Sequence, residues 1–87
     1  MERKSVYALI DNEREYQERT WPSNDGHAHS EHAILLLEGY VTKAREAWLT
    51  SKSELPVLQQ LAKVAAIAVR GLEKITGSED LLTRGLR

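Results

Sequence analysis

Glu13, Arg14 and Gln17 are the residues whose types and spacing most invite chemistry in this chain. On a helical projection Val6, Leu9 and Ile10 share a face with Tyr16 and Thr20. Glu13, with Gln17 one turn on, stands in the middle of that face. A carboxylate inside an apolar stripe costs several kcal/mol unless it is paired, so Glu13 requires a partner. Either another helix supplies a salt bridge or capping bond, or the stripe is wet at this depth, or Glu13 and Gln17 point into a polar pocket.

His27, His29 and His32 gather beside Asp25 and Glu31. Neutral imidazole binds zinc or nickel well. The spacing lacks an i, i+4 histidine pair with an intervening acid, and there is no cysteine to complete a site. Solvation and hydrogen bonding at a helix start are the better reading, and no metal is assigned. Nucleophilic catalysis has no cysteine and no serine in a G-x-S-x-G turn. The five glycines are scattered and none precedes Lys-Ser or Lys-Thr, so no phosphate-cradling loop is present.

Three helices must position these groups. The first is expected from a cap at Ser5 to Trp21, where Pro22 stops it. Residues 21–29, WPSNDGHAH, form the one clear loop. Ser30 is expected to cap the second helix, with Glu31 near its positive end. Ile34, Leu37, Val41, Ala44 and Trp48 form the main apolar line of that helix, and Ala33, Leu36, Tyr40 and Ala47 widen it. Glu38, Thr42, Arg45 and Glu46 fall on its solvent side, and Trp48 reads as a core plug. After a polar turn with Ser53 as cap, the third helix holds Pro56 in its first turn and ends at Gly77.

That third helix is the organising element. Leu58, Leu61, Ala65, Ala68, Leu72 and Ile75 follow the 3-4 spacing of a packing seam, and Val57, Val64 and Ile67 add a second line. Gln59, Lys63, Arg70, Glu73 and Lys74 form the only wet stripe. The sequence therefore predicts an all-α fold: a three-helix antiparallel unit (about 5–21, 30–51 and 55–76) with a short C-terminal helical turn, in one domain over 1–87.

At 87 residues such a chain buries only about 60 to 65% of its unfolded surface. Without cysteine, association with a second copy is the remaining way to enlarge the core. Twelve basic residues against thirteen acidic give a net charge of −1. Bulk phosphate neutralisation is therefore absent, and with only five aromatic residues no base-stacking platform is evident, so no nucleic-acid partner is expected. No segment reads as a signal peptide or a bilayer span, and a soluble cytoplasmic protein is expected.

The succession Ile10-Asp11-x-Glu13-Arg14-x-Tyr16-Gln17, then Trp21, His29-Ser30, Tyr40, Ala44, Ala47-Trp48, Lys63-Val64-Ala65 and Ala68-Val69 resembles a group of small proteins of tailed-phage genomes. The likeness runs from Ile10 to Glu73. That group in turn resembles, more distantly, the all-α MazG-like nucleoside-triphosphate pyrophosphohydrolases, helical bundles that dimerise or tetramerise. The resemblance implies a phage accessory protein acting in a bacterial host's cytoplasm.

MazG-like enzymes hold magnesium with E-x-x-E on one helix and E-x-x-D on the next, carboxylates that converge on a hard cation. Here the second helix offers Glu38, Thr42 and Glu46, and the third has no acid before Glu73. The phage group often carries an acid four positions after the histidine, where this chain has Ala33. The resemblance thus implies a non-catalytic homo-oligomer that captures a nucleotide-like ligand, without cofactor, in an interhelical or intersubunit cleft. Arg14 and Lys43 would meet phosphate, Glu13 and Gln17 a base or ribose hydroxyl, and His29 would stand at the loop end. The alternatives are an inhibitor that binds a host defence protein through a helical face, and a divergent pyrophosphohydrolase.

Overall fold

Glu2 is extended at φ −71° and ψ 153°, and its carbonyl accepts the Val6 N–H at 3.0 Å, so the first helix, α1, spans Arg3–Thr20. It starts two residues before the expected Ser5 cap, because Arg3 and Lys4 are good helix formers that extend the first turn. The computed structural model describes residues 1–21, 30–75 and 77–85. Helix α2 spans Ser30–Thr50, α3 spans Leu55–Lys74, and a five-residue α4 spans Asp80–Arg84. Among the described residues there is no strand ladder, and the all-α expectation stands.

Ser30 is the first helical residue of α2, its hydroxyl 3.5 Å from Glu31 Oε2. Ser53 does not cap α3: Ser51 Oγ accepts the Ser53 N–H at 3.3 Å, and the Glu54 carbonyl accepts the first helical bond from Leu58 at 3.0 Å. Pro56 sits in the first turn, where its missing N–H costs nothing. The helix closes earlier than its apolar run suggests. Ile75 is already extended at φ −82° and ψ 127°, and Gly77, at φ +98°, makes the turn a side chain would strain.

Helix α3 is the middle of the molecule, with α2 packed on one side and α1 on the other. Among the described residues α1 and α2 do not pack against each other, though Trp21, just past α1, reaches Tyr40 with ring centroids 6.1 Å apart. Ala66, Ile67 and Gly71 are the buried residues of α3. A Cβ placed on Gly71 would sit 3.6 Å from the Ala33 Cβ, which puts the end of α3 against the start of α2, as an antiparallel hairpin requires. No element packs on α4 among the described residues, and Leu82 is 90% exposed.

Of the two apolar lines on α3, each expected to be covered by a helix of this chain or of a second copy, the one containing Ile67 is turned inward, while Leu58, Leu61 and Leu72 of the other are all more than half exposed. The polar stripe, expected to be wet, is so only in part: Gln59 and Glu73 are exposed, yet Glu73 and Lys74 bond to α1 side chains and the Lys63 carbonyl accepts from Gln17. The reason is chemical matching. The two buried residues of α1, Arg14 and Gln17, are polar, so that part of α1 docks on the polar side of α3 and an apolar side is left uncovered.

By length and composition α3, at 20 residues and mean hydropathy 1.2, is long and apolar enough to cross a membrane, contrary to the reading that no segment is. In this fold its polar side is committed to α1.

Candidate functional site

Two surfaces stand out: a polar junction between α1 and α3, and a bare apolar face on the α2–α3 hairpin. Arg14 is the centre of the junction. Only 7% exposed, it donates from Nε and Nη2 to Glu73 Oε1 at 3.0 and 2.7 Å, and from Nη2 to Glu18 Oε1 at 3.0 Å. Glu18 also accepts from Lys74 Nζ at 3.2 Å, so two cations and two anions alternate across the helix pair. Burial disfavours the guanidinium charge, but the hydrogen bonds to Glu73 and Glu18 outweigh it and hold the Arg14 pKa above its ordinary value.

Gln17, one turn on, is completely buried. Its Nε2 is 3.5 Å from both the Lys63 carbonyl and Glu13 Oε2, long contacts that leave Oε1 without a partner among the described residues. Arg14 Nη1 is likewise buried and unpartnered. Among the described residues Glu13 has no salt bridge to another helix; it is half-buried rather than enclosed, with one long contact to Gln17 of its own helix.

Hydrogen bonds from Arg14, then from Lys74, hold the Glu18 carboxyl below its ordinary value of 4.5. A depressed folded-state pKa contributes stability at pH values above 4.5, which is lost as pH falls through the folded-state value. Thermal melts should therefore lose midpoint on acidification below pH 4.5. Glu18→Gln should flatten that part of the profile, and an unchanged acid limb would remove Glu18 from it.

Of the expected ligand set, Glu13, Arg14 and Gln17 come together at this junction. Lys43 is placed elsewhere, on the outer side of α2 with its Nζ 4.4 Å from the Tyr40 ring centroid. His29 lies outside the described residues, as do His27 and Asp25. Among the described residues no three His, Cys, Asp or Glu side chains gather closely enough to hold a metal. Sequence reasoning singled out neither Glu18 nor Glu73 for the junction. The i, i+4 spacing of Arg14 and Glu18 is a legible signal; the partner 59 residues away is not.

The second surface is the larger. Ile34, Val41 and Trp48 on α2 and Leu58, Leu61 and Leu72 on α3 are each more than half exposed. Trp48, the expected core plug, is 66% exposed, because the α3-facing stripe of α2 is the neighbouring line of Ala33, Leu36, Leu37, Tyr40, Ala44 and Ala47. Between the start of α2 and the end of α3 runs a groove of about 460 Å³, lined by Ile34, Leu37, Ile67, Leu72 and Ile75 among others. These six exposed side chains present on the order of 600 Å² of apolar surface, at the top of the range for the largest patch of a monomer and somewhat below the roughly 800 Å² that each partner buries in a standard interface.

No known protein family matches this chain, and neither a curated protein nor a solved structure does so.

Proposed function

We propose that this is a non-catalytic helical binding protein whose working form is self-assembled, the bare face of the α2–α3 hairpin being covered by a second copy. One observation carries the reading: Leu58, Leu61, Ala65, Ala68 and Leu72 succeed one another at 3-4 spacing with no charged side chain among them, all exposed but the half-buried Ala65. That is the pattern of a helix–helix seam, and among the described residues it has no mate. Assembly would enlarge a core whose fully buried apolar side chains, among the described residues, are Ala66 and Ile67. As a phage-type accessory protein, the reading implied by its resemblance, it would act in a bacterial cytoplasm.

The polar junction supports a second reading, capture of a nucleotide-like ligand. Arg14 Nη1 and Gln17 Oε1 offer one buried donor and one buried acceptor that the described residues leave unpaired. For phosphate to bind Arg14 it must compete with Glu73 and Glu18, so this reading stands behind the first.

Thermal melts address both. If folding and assembly are linked, the midpoint should rise by about 3–5 °C for each tenfold increase in protein concentration. A midpoint independent of concentration from 1 to 100 μM (order-of-magnitude limits) would overturn the assembled form. Added nucleotides at a hundred times their Kd should stabilise by about 2.7 kcal/mol if the junction captures them. A flat panel would end the ligand reading alone.

A further inference from the structure

The outer rim of the bare face carries a charge row with a direction. Glu31, Glu38 and Arg45 lie at seven-residue intervals along α2, and Lys52 continues the row just past its end, all four exposed. None takes part in an ion pair among the described residues. Seven-residue spacing keeps Glu31, Glu38 and Arg45 on one side of the helix, beside Ile34, Val41 and Trp48, where flanking charges of a helix–helix seam belong; Lys52 follows at the same interval beyond the last helical turn. The first half is acidic and the second basic.

Such a row is complementary to itself only when reversed. Glu38 with Arg45, and Glu31 with Lys52, are both centred between residues 41 and 42. We propose that two copies meet across α2 in antiparallel register about a two-fold axis beside Val41. Glu31 and Glu38 of each then face Lys52 and Arg45 of the other, and Trp48 of each enters the groove beside Ile34 of the other. This rests on the self-assembly reading and adds the register. A two-fold interface must use one patch on both copies, and a patch whose charges invert about its own centre meets that condition.

The apolar residues agree with the charges. In that register Ile34 and Leu35 of one copy stand opposite Leu49 and Trp48 of the other, and Ile34 lines the 460 Å³ groove. The groove is thus placed to receive Trp48, the most exposed of the six apolar side chains of the face. A parallel pairing would instead set Glu38 against Glu38 and Arg45 against Arg45, with Trp48 far from the groove.

The test is a charge swap read by sedimentation equilibrium of the full chain. Glu38→Arg or Arg45→Glu alone creates two like-charge contacts per assembly and should weaken self-association about tenfold, less at high salt. The double variant should return to within about threefold of the original, since both contacts are restored with their signs exchanged. Because the chain has no cysteine, Val41→Cys supplies a second readout. Near the axis it should oxidise readily to a disulfide-linked pair, whereas Ser53→Cys, at opposite ends of the two copies, should not. Self-association that neither single reversal weakens, or that the double fails to restore, would overturn the register and leave the assembly intact. A wild-type chain that is monomeric throughout would overturn both.

Discussion

Leu61→Glu is expected to dissociate the assembly while leaving each chain folded. Leu61 is 53% exposed and lies in the middle of the outward line of α3, so in a single chain the new carboxylate stays in water. Glutamate forms helices nearly as well as leucine, so α3 itself loses only a few tenths of a kcal/mol. In the assembly the same carboxylate is carried into an apolar contact, once from each copy. Desolvating an unpaired charge costs several kcal/mol, and two of them should weaken association by more than about a hundredfold. Sedimentation should show the mass falling to that of one chain, and far-UV circular dichroism should show the helices retained. Tyr7→Glu, on the exposed outer side of α1, is the control and should leave the mass unchanged.

The second large effect is expected at the polar junction. Arg14→Ala removes the side chain that binds Glu73 and Glu18 together, and with it the alkyl stem packed between α1 and α3. Breaking a fully buried ion pair costs roughly 3–5 kcal/mol; here both carboxylates are about half exposed and recover water, so the loss should be nearer about 2 kcal/mol. For a chain of this size that is a midpoint lowered by about 10 °C. Arg14→Lys should recover only part of it, because an ammonium cannot hold two carboxylates from a planar fork. A variant melting within about 2 °C of the original would show that the junction does not hold α1 in place.

Those two surfaces were unequally legible in the sequence. The helix spans were readable from cap, proline and apolar spacing: 30–51 and 55–76 were expected, and α2 and α3 cover Ser30–Thr50 and Leu55–Lys74. What periodicity could not give is which side of α3 faces which neighbour. Val57, Val64 and Ile67 are as apolar as Leu58, Leu61 and Leu72, and a helix apolar over most of its girth carries no internal mark of inside and outside. The deciding information lies on α1. Its polar residues Arg14, Gln17 and Glu18 match Glu73, the Lys63 carbonyl and Lys74, and that match fixes α1 on the stripe that single-helix reasoning assigns to water.

Trp48 illustrates the same point from α2. Two apolar lines lie side by side on that helix, and the one built from smaller residues, Ala33, Ala44 and Ala47 with Leu37 and Tyr40, gives the closer approach to α3. The bulkier line of Ile34, Val41 and Trp48 is left outside. Sequence reasoning reached the need for a second copy from the excess of apolar surface; the fold shows where that surface is.

The measurement that bears most directly on the assembled form is the molar mass of the purified full chain by sedimentation equilibrium at micromolar concentration. An assembly of at least two chains is expected, with a mass at or above twice the 9.9 kDa of one. A single well-folded species of 9.9 kDa that melts cooperatively would contradict it.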